Sequence, residues 1–145
     1  MPTLRMRMPV FVLSGILFAA CNGESDAPLV ASDVVISEPP PGRAMSAGYL
    51  TLRNNTDDVI RISGVDSPQF GFVEIHETRL DDGVASMILV PELLIPAKSS
   101  VSLQPGGKHL MLMRPIGTPQ NISLSFYDDD ILLLNLQAAM TRRDN

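Results

Sequence analysis

The chain has no tryptophan, one cysteine and two histidines, and aromatic side chains make up only 5% of its 145 residues. A core built without large rings must be filled by Val, Ile and Leu. The single cysteine, Cys21, stands near the start, so it cannot supply the thiolate ligand that a blue-copper electron carrier needs. Sustained helical periodicity is missing, which argues against a helical architecture. Nucleophile-elbow, zinc-hydrolase and nucleotide-binding motifs are also missing, so the chain is not expected to be an enzyme. Basic residues are scarce. The net charge is −5, and because Arg5 and Arg7 lie in the leader while all 16 acids lie beyond it, the remainder carries −7. That balance excludes nucleic acid as a partner.

What is present begins with an export signal. Arg5 and Arg7 form a positive n-region, and residues 10–20 form an apolar run that ends in small residues and is too short to span a bilayer comfortably. Cys21 follows Leu17-Phe18-Ala19-Ala20 directly. That run resembles the lipobox of bacterial lipoproteins, in which the cysteine is lipidated and becomes the new N-terminus. Residues 1–21 are therefore expected to be signal peptide and lipobox, with Cys21 the lipidation site and the protein held in the periplasm by a lipid anchor. Asn22, in place of the Asp that retains lipoproteins at the inner membrane, points to the outer membrane. Cleavage after Ala20 would instead give a soluble periplasmic form. Residues 22–32 are rich in Gly, Ser, Asp, Ala and Pro and read as a flexible tether, leaving residues 33–145 as one domain large enough to bury a core.

Leu29-Val30 and Val34-Val35-Ile36 suggest a first strand, which Pro39-Pro40-Pro41-Gly42 stops. Met45 is placed in the turn that follows. Alternation of apolar and polar residues then predicts strands over residues 46–53, 59–65, 72–78, 84–90, 101–103, 109–113, 121–127 and 131–138. Asp81-Asp82-Gly83 reads as a tight hairpin turn, and Asp128-Asp129-Asp130 as a solvated one. Short strands separated by turn residues indicate an all-β fold, an antiparallel Greek-key β-sandwich.

Both histidines belong to one pattern, His76, Met87, His109 and Met111, spaced His-x10-Met-x21-His-x-Met. Period two puts His76 opposite the Val73 and Ile75 side of its strand, and His109 with Met111 opposite Leu110 and Leu112. Two ligands at i and i+2 can point at one ion. Imidazole nitrogen and thioether sulfur are borderline to soft ligands that favour Cu(I) over hard cations, and a set with two methionines suits zinc poorly. Met113 lies one step further along that face, about 7 Å from Met111 by strand rise. Met113 and Met45 are accessory candidates, more simply read as gap-filling or partner contacts. A site that takes and releases copper is expected to be exposed.

The text around these ligands includes Glu74-Ile75-His76-Glu77-Thr78, Asp82-Gly83-Val84, Ile95-Pro96-Ala97 and Pro105-Gly106-Gly107-Lys108-His109-Leu110-Met111-Leu112. Over roughly residues 47–137 it resembles the periplasmic copper chaperones called PCuAC. That resemblance implies a cupredoxin-like fold and a chaperone that delivers Cu(I) toward the dinuclear copper centre of cytochrome c oxidase. The partners it implies are subunit II of that oxidase or a thiol-bearing assembly factor. The His- and Met-rich tail of some family members is lacking here, so a single Cu(I) site is expected. Copper buffering without a dedicated acceptor and a metal-free interaction module are the alternative readings.

Overall fold

The computed structural model describes residues 26–142, so the export signal, the lipobox and Cys21 lie outside the described residues. It contains eleven strands and, among the described residues, no helix. They are β1 (Leu29–Ser37), β2 (Met45–Asn54), β3 (Ile60–Ile62), β4 (Gly64–Asp66), β5 (Phe70–Asp81), β6 (Val84–Leu89), β7 (Leu93–Ile95), β8 (Ser100–Leu103), β9 (Lys108–Pro115), β10 (Asn121–Asp128) and β11 (Ile131–Thr141). Strand β2 shows why such segments fold this way: Ser46, Gly48, Leu50, Leu52 and Asn54 are buried while the residues between them face outward.

Strands β1, β11, β10, β4, β5, β9 and β2 are hydrogen-bonded in that order, and β2 pairs back onto β1, closing the sheet into a barrel. Closure leaves few free edges. Strand β8 extends the β2 edge beyond β9, β6 hangs on the outer edge of β5, and β3 with β7 forms a separate two-stranded sheet. The all-β expectation holds. One pair departs from the antiparallel pattern, since β1 and β11 run parallel. They are distant in sequence, so no tight turn imposes the opposite direction.

Three local expectations need correction. The tether ends earlier than residue 32, because β1 begins at Leu29, which is 2% exposed and pairs with Asn54. The polar Ser32-Asp33 that suggests linker is a bulge within the strand, where the register shifts and Asp33 takes φ 54°. The single strand expected over residues 59–65 is two, β3 and β4, in different sheets. Ser63 between them is tied to the barrel, its N–H donating to the Tyr127 carbonyl at 2.9 Å and its hydroxyl accepting from the Asp129 N–H at 2.7 Å. Met45 is not in a turn but opens β2, opposite Met113.

The barrel interior is filled by branched aliphatic side chains, with Phe126 the largest fully buried group. Strands β1, β2 and β9 approach closely at Gly48, where a Cβ would sit 3.1 Å from both Ile36 Cδ1 and Leu110 Cβ. Buried Asn54 pins the end of β2. Its amide donates to the carbonyls of Asp58 (2.7 Å) and Ile95 (3.0 Å), and its oxygen accepts from the Thr56 N–H at 2.8 Å. These contacts satisfy a polar group that would otherwise be costly to bury.

Candidate metal centre

Strands β9 and β5 pair so that His109 stands directly opposite His76, with Leu110 opposite Ile75 on the inward face. The inward pair is buried core, so the histidines are driven outward by the same alternation that packs the barrel. Their ring centroids are 6.3 Å apart with planes tilted by 37°. With metal–nitrogen bonds near 2.0 Å, two imidazoles on one ion have centroids about 5–6 Å apart, close to the separation seen here.

Each ring already has the contact that orients a ligand. The Nε2–H of His76 donates to Glu74 Oε2 at 2.8 Å, while its Nδ1 is buried with no hydrogen-bond partner. The Nδ1–H of His109 donates to the Gly107 carbonyl at 3.1 Å, which puts the lone pair on Nε2. A carboxylate or carbonyl on one ring nitrogen, with the other nitrogen free, is the arrangement that ligating histidines adopt. The orphaned Nδ1 is the feature that a bound metal would satisfy.

Methionine completes the surroundings. Met111 follows His109 by two residues on the same face, opposite Glu74 on one side and Ala47 on the other. Asp82 (φ 49°) and Gly83 (φ 81°) both have positive φ, as a two-residue type I′ hairpin requires, and Asp81 pairs with Val84. Counting back from that turn places Met87 opposite Thr78, one step along the face from His76. Met45, Met87, His109 and Met111 line one groove of about 300 Å³, with Tyr49 and Thr78 among its walls. Among the described residues no group of three or more His, Cys, Asp or Glu could hold a metal ion, and the soft donors that share the groove with His109 are thioethers.

The four residues of the spaced pattern are thus brought to one face, and three of them to one groove. His76 lies beside His109 rather than in the groove wall. Exposure is uneven, contrary to the expectation of an exposed site: His109 is 6% exposed and Met87 61%. His109 lies on β9 between β5 and β2 in the barrel wall with its ring bonded to the Gly107 carbonyl, whereas β6 has no strand on its outer edge. Of the accessory candidates, Met45 lines the groove and Met113 does not. Glu74 and the Gly107 carbonyl as orienting groups were missed by sequence reasoning. Glu74 was within reach of it, since i−2 on a strand is a same-face neighbour.

Next to the histidine pair, Glu77 is opposite Lys108, whose ammonium donates to Glu77 Oε1 at 2.9 Å. That hydrogen bond and the Lys108 charge hold the Glu77 carboxyl below the usual carboxylate range.

The fold just described is that of PCuAC-type domains, cupredoxin-like β-structures. The chain is similar to the copper-bound PCuAC domain from PmoF2, with TM-score 0.62, 20% identity and coverage of 81% of this chain and 95% of that one. It is also similar to the copper(I)-bound DR1885 of Deinococcus radiodurans, with TM-score 0.56, 30% identity and coverage of 79% and 76%. By sequence, the chain belongs to the LpqE-like family, described as "Putative lipoprotein LpqE-like", whose match spans residues 29–126. An uncharacterized protein of Rickettsia prowazekii is 33% identical over 89 residues, 59% of this chain and 49% of that protein. The chain spans about half the length of the curated relatives it matches.

Proposed function

We propose that this protein is an extracytoplasmic copper(I) carrier, binding one Cu(I) through His76, Met87, His109 and Met111. The observation that carries the reading is the pair of oriented imidazoles, one with a buried and unpartnered nitrogen, beside a groove walled by thioethers. The copper bound by two of its structural neighbours supports it. Copper here is cargo. Thioethers are neutral and hold Cu(I) less firmly than thiolates, so an acceptor with thiol ligands draws the ion away by ligand exchange. The acceptor that the PCuAC resemblance implies is cytochrome c oxidase subunit II or a thiol-bearing factor that assembles its copper centre. Such a carrier needs no general acid, base or nucleophile of its own.

The family description as a lipoprotein supports lipidation at Cys21, with Asn22 favouring the outer membrane. The test is a competitive Cu(I) titration of the protein against its His76→Ala and Met111→Ala variants. Tight one-to-one binding, weakened in both variants, is expected. Binding that persists unchanged in both would remove the site. Imidazole must be unprotonated to bind, so affinity should also fall as the solution is acidified through the range where histidines gain a proton.

A further inference from the structure

Five methionines lie beyond the leader, and four of them, Met45, Met87, Met111 and Met113, project from the outward face shared by β2, β9, β5 and β6. Methionine elsewhere fills irregular gaps in cores, but the buried core of this barrel contains none. Met45 and Met113 stand directly opposite each other across β2 and β9, and Met111 is the next outward residue along β9. Cβ atoms of facing residues on antiparallel strands are about 5 Å apart, and i to i+2 along a strand is about 7 Å. Three unbranched, freely rotating side chains at those separations can bring their sulfurs onto one ion. Met45 is 40% exposed and lines the groove that holds Met87, His109 and Met111. Beyond Met113 the row ends at Phe72, whose ring is covered by the Arg114 guanidinium 4.9 Å from its centroid.

We infer that Met45 and Met113, sharing Met111, form a second and weaker Cu(I) station of thioethers alone, adjoining the histidine site. It rests on the reading of the groove as a copper site and adds a route to it. Copper passes between the two stations by replacing neutral imidazole or thioether ligands with neutral thioethers, so neither electron nor proton is transferred. Lacking imidazole, the outer station binds more loosely. Met45, 40% exposed at its edge, is the point where copper arrives or departs.

The test is an anaerobic Cu(I) titration of the protein labelled with ¹³C at the methionine methyl groups, with Met140 as the internal reference. The first equivalent should shift the Met87 and Met111 signals and the second those of Met45 and Met113. A Met45→Leu/Met113→Leu variant keeps side-chain volume. It should retain the first equivalent at parental affinity, lose the second, and transfer copper to a thiol chelator roughly three- to tenfold more slowly. Met45 and Met113 signals unmoved after two equivalents would overturn the outer station. If Met87 and Met111 shift in that case, the histidine site stands alone; if no methionine signal moves, the carrier reading falls with it.

Discussion

His109 and Met87 contribute to one groove from opposite mechanical situations. His109 lies in the barrel wall, paired through β9 with β5, 6% exposed, with its ring oriented by the Gly107 carbonyl. Met87 sits on β6, which pairs only with β5 and whose residues are almost all exposed. The β5–β9 ladder extends to Glu77 opposite Lys108, and beyond it Thr78 to Asp81 have only β6 as a strand partner. The tip of this hairpin is therefore a two-stranded arm, an element of low intrinsic stability. For the proposed copper site the contrast implies a division of labour, with a rigid half that would define where copper sits and a loosely held half that would leave first.

The largest effect that would test this division is expected from His109→Ala, which removes a preoriented ligand and should weaken Cu(I) binding on the order of 10³-fold in a competition titration. Met87→Ala should weaken it by about 10–100-fold, mostly through faster release, while thermal stability changes by less than about 0.5 kcal/mol because the side chain is exposed. A large stability loss in Met87→Ala would mean that the arm is packed more firmly than its exposure indicates. Glu74→Gln keeps the shape beside His76 but removes the carboxylate, and a loss of about tenfold in affinity is expected from weaker orientation of the ring.

The smallest effect concerns the clamp next to the histidine pair. Lys108→Ala should return the Glu77 carboxyl toward its ordinary range, which a carboxylate-resolved NMR titration would read. Because the folded carboxyl is held below that range, its stabilising contribution is present above the ordinary carboxylate range and lost as pH falls through the lower folded value. Parent and variant should therefore converge in stability at acid pH. Divergence there would assign Lys108 a role apart from Glu77.

Much of the fold was legible because burying one face of a strand imposes period two. The outward placement of His76, His109 and Met111 followed from the apolar residues between them. The type I′ turn at Asp82-Gly83 was also readable, and with it the position of Met87 opposite Thr78 was within reach. The start of β1 was legible only in part: Leu29-Val30 and Val34-Val35-Ile36 suggest a strand, but the composition through Ser32 reads as tether, and only the bulge at Ser32 and Asp33 joins the two pieces. The break at Ser63 escaped for a similar reason: a continuous apolar alternation does not record which sheet each half joins.

The sequence by itself determined the all-β class and the outward faces that carry the candidate soft donors, because each depends on residues a few positions apart. Only the tertiary structure decided that His76 faces His109, that one of its nitrogens is buried without a partner, and that Met45 joins the groove. Those facts depend on the pairing of β5 with β9 and of β9 with β2, strands that are far apart in the chain. Such registers are chosen by how the whole core packs.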